Sequence, residues 1–167
     1  MQMRNTFVWT GLLGALLLAA PSPALAQSAP VTYSAVLTGS GESPAVVSAA
    51  FGDFEMTVDA DRARAEFVIR LWNVPPVITG THIHLGVAGA NGPVIYNLNP
   101  AAGVSGDLQW RGILDLSGNL APQPTRGLVD VRDVLQILYA HPEMLYVNVH
   151  TTANPGGEFR GQLAFSK

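Results

Sequence analysis

The chain has 167 residues, no cysteine and a formal net charge of −3 at pH 7. The lack of cysteine excludes disulfides, thiol chemistry and thiolate metal sites. The basic residues form no run of the kind that follows a phosphate backbone, so nucleic acid is not expected as a partner.

The N-terminal segment has the parts of a secretory signal peptide. A short polar start carries one cation, Arg4, residues 7–20 are apolar, and Ala24-Leu25-Ala26 forms a small-x-small cleavage signature before Gln27. The apolar run is shorter than the roughly 18 residues that a membrane anchor needs, and prolines follow it. We therefore expect cleavage between Ala26 and Gln27, and a secreted or periplasmic product without a membrane span.

The rest of the chain has the size of one ordinary domain. We divide it into a short linker over residues 27–32 and a β domain over residues 33–167. Cleavage removes one basic residue, so the mature chain keeps eight basic and twelve acidic residues and is mildly acidic.

Apolar and polar residues alternate with period two in short runs bounded by Gly, Pro, Asn and Asp, which predicts β-strands. The predicted strands are residues 33–38, 51–58, 63–72, 79–85, 94–97, 109–116, 145–151 and 159–165. In the second strand Phe54, Met56 and Val58 share one face, which should belong to the core.

A single segment, residues 130–140, has helical spacing of its apolar residues, with Asp130 as the expected N-cap. Residues 99–105 and 120–126 are predicted to be surface loops. Many antiparallel strands with one late helix predict an all-β protein, either a β-sandwich or a partly closed barrel.

Two histidines lie two positions apart in the fourth predicted strand. Since alternate residues of a strand point to the same side, His82 and His84 present their imidazoles side by side, and Ile83 faces the core. Three interpretations of the pair remain open. The rings hold the following loop through hydrogen bonds to its carbonyls or to Glu158, or they bind a metal, or they contact a ligand or partner.

A third histidine lies in a polar row on the strand at residues 145–151, where Tyr146, Asn148 and His150 share the face opposite the apolar residues. Together, His82, His84 and His150 offer three imidazoles, which suit copper or zinc.

A turn at residues 155–157 leads to two charged residues on the last predicted strand. Glu158 is a candidate fourth or outer group of the metal site. Glu158 and Arg160 lie two apart, which predicts an ordinary ion pair at the surface or sheet edge, with recognition of an anionic group as the alternative for Arg160.

Motifs of catalytic chemistry are missing from the sequence. There is no cysteine nucleophile, no Gly-x-Ser-x-Gly elbow and no His-Glu-x-x-His motif. The fourth histidine, His141, precedes Pro142 at the expected helix end, where an imidazolium favours the helix dipole, and it is not expected to be a ligand. We predict a non-catalytic protein, with a single-copper, dismutase-like activity left open.

The histidine-bearing segments resemble a known family. The motifs are Leu37-Thr38-Gly39 with Glu42, Pro44 and Val46; His82-Ile83-His84; Asn91-Gly92-Pro93; residues 145–150; Pro155-Gly156-Gly157-Glu158; and Arg160-Gly161-Gln162-Leu163. Together, over about residues 33–165, they are similar to the CHRD domain, which is named for chordin and also occurs in exported bacterial proteins. The family often has a second proline where this chain has Ala45.

The resemblance implies an immunoglobulin-like β-barrel related to copper/zinc superoxide dismutases, with no settled activity for bacterial members. We expect an exported binding module or a structural module of the envelope or extracellular matrix. The alternatives are a periplasmic metal-binding protein and a protein-binding domain of the chordin type.

Overall fold

The computed structural model describes residues 29–75, 77–98, 103–114 and 120–166. The expected signal peptide, its cleavage site at Ala26 and Gln27, and parts of the predicted segments 99–105 and 109–116 lie outside these residues. No helix in the described ranges has both the length and the hydropathy needed to cross a membrane.

One antiparallel sheet and one α-helix, α1, account for most of the described chain. The elements, in chain order, are β1 Val31–Thr38, β2 Phe51–Val58, β3 Ala65–Val74, β4 Ile78–Leu85, β5 Val94–Asn97, β6 Gly106–Leu114, α1 Val131–Ala140, β7 Leu145–Thr151, β8 Phe159–Gln162 and β9 Ala164–Phe165. The predicted all-β class with one short helix is confirmed. Strand β1 begins at Val31, so the end of the expected linker belongs to the sheet.

The sheet has the order β5-β4-β7-β8-β1-β2-β3-β6, with β9 paired to β1. It curls so that its two outermost strands approach each other. The hydroxyl of Tyr96 on β5 donates to the carbonyl of Ile113 on β6 at 3.2 Å, and Trp110 Nε1 on β6 donates to the carbonyl of Leu98 at 3.0 Å. Side-chain hydrogen bonds therefore join the rims of the sheet.

The inner face of the curled sheet carries the core, because every second residue of each strand points to it. The apolar face of α1 packs into the same core through residues at helical spacing, which are Val131, Val134, Leu135 and Leu138. Asp130 is the N-cap of this helix, as predicted, and forms a capping box with Asp133. The core residues from the strands include Leu37, Phe54, Met56, Phe67, Ile69, Leu71, Ile83, Val147, Val149 and Phe159.

The outer face of β4, β7 and β8 is also covered. Loops that follow β1, β4 and β7 lie over it, so Tyr146 and Asn148 are each only 1% exposed. The polar row of β7 on this face is therefore buried under loops. The predicted site residues lie in this buried polar layer.

Candidate functional site

The register between β4 and β7 brings the three predicted histidines together. His82 lies opposite Asn148, His84 opposite Tyr146, and Gly80 opposite His150. Because antiparallel partners share a face, all three imidazoles project from the outer side of the sheet. The His82 ring lies over Gly80, where a Cβ atom would approach its Cε1 to 2.7 Å. The glycine therefore leaves the space in which His82 reaches toward His150.

The three rings form a compact cluster. Ring centroids are 4.9 Å apart for His82 and His150, 5.4 Å for His84 and His150, and 5.7 Å for His82 and His84. One ring nitrogen from each residue lies within 4.8 Å of the other two. His84 is buried and the other two rings are half-buried. This arrangement presents three nitrogen donors to one small volume.

The hydrogen bonds of two rings fix their tautomers. His84 Nδ1 lies 2.9 Å from the carbonyl oxygen of Gly92, and His150 Nδ1 lies 3.0 Å from that of Pro155. A carbonyl oxygen only accepts, so each Nδ1 must carry a hydrogen, and in a neutral ring Nε2 then carries a lone pair. The two Nε2 atoms are 3.3 Å apart. Two acceptors therefore face each other without a hydrogen between them.

Burial keeps these rings neutral. Desolvation, with the nearby His150, lowers the pKa of His82 to about 4. Desolvation also lowers the pKa of His84 to about 4, outweighing the Gly92 carbonyl, and the neighbouring histidines and Arg160 lower it further. The pKa of His150 is likewise lowered by burial. His82 Nδ1 is buried and has no hydrogen-bond partner among the described residues.

A column of stacked side chains stands beside the cluster. The ring of His84 stacks on that of Tyr146 at 4.8 Å between centroids, and the guanidinium carbon of Arg160 lies 4.6 Å from the Tyr146 centroid. The Tyr146 hydroxyl accepts a hydrogen bond from the backbone N–H of Gly92 at 3.0 Å. Gly92 thus contacts both His84 and Tyr146, and the loop that contains it fixes the orientation of the His84 ring.

Arg160 ties two covering loops to the sheet and is 3% exposed. Its Nε donates to the carbonyl of Gly41 at 2.7 Å, and its Nη1 donates to Ala90 O at 3.2 Å and to Asn91 Oδ1 at 2.9 Å. The carboxylate nearest to it is Glu42, whose Oε2 lies 3.8 Å from Nε. Burial raises the pKa of Glu42 to about 7 although the charge of Arg160 opposes this.

A family model of the CHRD domain matches residues 33–163. This chain belongs to the CHRD-domain family. The family assignment suggested by the sequence motifs is therefore confirmed. The comparison with curated proteins gives no match, and the comparison with solved structures gives none either.

Within this CHRD domain, Glu158 lies apart from the histidine cluster, contrary to expectation. Its side chain accepts hydrogen bonds from Ser48, from Thr151 at 2.9 Å and from Asn154 at 2.5 Å. Burial by itself would raise the pKa of Glu158, but these three donors lower it overall. The carboxylate holds the loop between β7 and β8, and the group of three histidines does not include it.

The expected ion pair between Glu158 and Arg160 is also corrected. Strand β8 begins at Phe159, so Glu158 precedes the strand and does not share its alternation with Arg160. Among the described residues, the carboxylate that pairs with Arg160 is Glu42. His141 is the C-cap of α1, at the helix end as expected, and its ring contacts Glu143 at 3.1 Å.

Three residues of the CHRD domain contribute to the site although the sequence pattern does not predict them as site residues. Gly80 makes room for His82, Gly92 holds His84, and Glu42 lies beside Arg160. Gly80 could have been found from its position two residues before His82, since it shares that face of the strand. Glu42 carries no local signal, because only the packing of an irregular loop brings it to Arg160.

Proposed function

We propose that this CHRD domain binds one transition-metal ion, copper or zinc, through His82, His84 and His150, and that it acts as a binding protein rather than an enzyme. The observation that carries the proposal is the 3.3 Å distance between the Nε2 atoms of His84 and His150. In both rings the Nδ1 hydrogen is already donated to a backbone carbonyl. Neutral imidazoles in this state are the ligand form that copper and zinc take in proteins.

The separation of the two nitrogens suits a shared ion. Two nitrogens bound to one ion at 2.0–2.1 Å lie about 3.3 to 3.6 Å apart for angles between tetrahedral and trigonal. The observed distance between the Nε2 atoms of His84 and His150 is 3.3 Å. A ring nitrogen of His82 lies within 4.8 Å of the others, so His82 must approach by up to about 1.5 Å to add a third nitrogen.

Hydrogen bonds to the loops explain only one of the two nitrogens in each ring of His84 and His150. The bonds to Gly92 and Pro155 explain the Nδ1 atoms of His84 and His150. They leave two lone pairs in contact, and a proton between them would require an imidazolium that the lowered pKa values disfavour. A metal ion removes this repulsion, and carbonyl-bound Nδ1 atoms are the usual outer contacts of metal-binding histidines.

We infer that the protein binds its metal outside the cytoplasm. The support is the composition of residues 1–26, with a cation, an apolar run and a small-x-small site before Gln27. N-terminal sequencing of the exported protein should give Gln27 as the first residue. A cytoplasmic product that retains Met1 would contradict the inferred location but not the proposed metal site.

Metal titration of the purified, chelator-treated protein tests the proposal. We expect one equivalent of Zn(II) or copper to bind, with the NMR signals of His82, His84 and His150 shifting together. Alanine at any of the three positions should lower the affinity at least about tenfold. His141→Ala is the matched control, because that ring lies away from the cluster and should leave binding unchanged. No binding, or equal loss with the control, contradicts the proposal.

A further inference from the structure

We propose that the ion preferred by this site is copper(I), held by three neutral imidazole nitrogens. The inference rests on the proposed metal-binding function and adds the charge and oxidation state of the ion. It follows from the charges around the cluster and from the number of donors.

The first argument is the absence of an anionic ligand in the described residues. The cluster consists of His82, His84 and His150. Glu158, the carboxylate that the sequence suggests as a fourth group, has its oxygens engaged by Ser48, Thr151 and Asn154. A divalent ion bound by neutral groups keeps its full charge in a partly buried site, where the cost of desolvation rises with the square of the charge. A monovalent ion meets about one quarter of that cost.

A buried cation strengthens this preference. Arg160 is 3% exposed and lies one aromatic ring away from His84, on the far side of Tyr146. A guanidinium stays charged in proteins, whereas the pKa of Glu42 beside it is raised to about 7, so the carboxylate offsets the cation only in part at neutral pH. With only the Tyr146 ring between them, the charge of Arg160 repels positive charge at His84, and it repels a doubly charged ion twice as strongly as a singly charged one.

The number of donors points in the same direction. Three histidine nitrogens lie within 4.8 Å of one another, and the Tyr146 hydroxyl nearby already accepts the Gly92 N–H. Zinc(II) completes a tetrahedron and copper(II) favours square-planar or tetragonal sets, so at a site with three protein donors each needs water or another molecule as a further ligand. Copper(I), with a filled d shell, is satisfied by three.

Two competitions on the wild-type protein test the inference directly. Copper(I) affinity is measured without oxygen, in the presence of ascorbate, against the chelator bicinchoninate. Zinc(II) affinity is measured against a chromophoric zinc chelator. We expect the Kd for copper(I) to be at least 100-fold below that for zinc(II). If zinc binds through the three histidines as tightly as copper(I), the inference is overturned and the proposed function stands. If neither ion binds, both fail.

Arg160 variants test the electrostatic part. Arg160→Gln should raise the copper(II) affinity relative to copper(I) by about tenfold, which lowers the reduction potential of the bound copper by about 59 mV. Arg160→Lys keeps the charge and should keep the reduction potential. If both variants shift the potential equally, the effect of Arg160 is structural and the proposed role of its charge is wrong. Arg70→Gln, which removes a cation paired with Asp53 on another part of the sheet, is the control. Circular dichroism identifies variants that fail to fold. If the Arg160 variants do not fold, the competitions on the wild-type protein decide the inference.

Discussion

The Nε2 atoms of His84 and His150 lie 3.3 Å apart although each ring already donates its Nδ1 hydrogen to a backbone carbonyl. Buried acceptors normally have a donor, and a positive group between the two facing lone pairs would remove their repulsion. Burial lowers the pKa of both rings, which disfavours a proton in that place. The metal-binding proposal follows from this pair of atoms.

Gly80→Ala should weaken metal binding without unfolding the domain. The new methyl group would lie 2.7 Å from the Cε1 atom of His82, so the ring must turn away from His150. We expect a loss of affinity of about 10- to 100-fold and a stability change of about 1 kcal/mol or less. Zinc titration and urea denaturation measure the two effects. Gly156→Ala is the matched control, because no atom of the described residues lies within 4 Å of a Cβ there.

Tyr146→Phe should lower stability while keeping the metal stoichiometry. The substitution retains the ring that stacks on His84 but removes the acceptor of the Gly92 N–H. A lost hydrogen bond of this kind costs about 1 kcal/mol. Urea denaturation provides the measurement, with Tyr139→Phe, whose ring is 44% exposed, as the control. Equal stability of both variants would show that the Gly92 contact contributes nothing.

Glu42→Gln should stabilise the domain relative to the wild type at pH 8 and much less at pH 5. Burial raises the pKa of Glu42 to about 7 from 4.5, so the folded state binds an extra proton between these values. The favourable contribution is present below pH 4.5 and is lost as the pH rises through 7, by up to about 3 kcal/mol. Glutamine mimics the protonated carboxyl and avoids this loss.

The Glu42 prediction is checked by unfolding free energies at pH 5 and pH 8. Glu66→Gln is a suitable control, because Glu66 is exposed and its ion pair with Arg64 is exposed as well. A Glu42→Gln variant that loses stability at pH 8 would mean that the charged pair with Arg160 outweighs the burial of the carboxylate.

Gly92→Ala should damage stability and metal affinity together. A Cβ at this position would overlap the backbone carbonyl of Leu85, which cannot rotate away as a side chain could. The loop must move, and the contacts of Gly92 with His84 and Tyr146 move with it. We expect about 3 kcal/mol of destabilisation or more, and weaker zinc binding in the folded fraction. Wild-type behaviour in both measurements would refute this role for the loop.

The sequence alternation locates the strands approximately, although residues 159–165 are divided between β8 and β9, and it assigns the three histidines to the face away from the core. Alternation assigns His82 and His84 to one side of β4, and His150 to the polar side of β7, because the side-chain period of a strand is two. It does not give the register between the strands, and a slip of one residue would move a whole set of side chains to the other face. The pairing of Gly80 with His150 therefore had to come from the structure.

The partners of the charged residues are harder to predict from the sequence. The spacing of Glu158 and Arg160 predicts an ion pair only if one strand contains both residues, but β8 starts after Glu158. Glu42 reaches Arg160 from an irregular loop far away in sequence, with no periodicity to reveal the contact. Contacts between loops and a sheet depend on tertiary packing, which local patterns do not encode.

The hydrogen bonds of Tyr96 and Trp110 across the gap between β5 and β6 have a consequence for the behaviour of the protein in concentrated solution. An outermost strand ordinarily offers its backbone to strands of other molecules, which is how many β proteins aggregate. Here these hydrogen bonds join the two outermost strands, which should make their backbones less accessible to another chain. The curl of the sheet should thereby lower the tendency of a cysteine-free domain to self-associate.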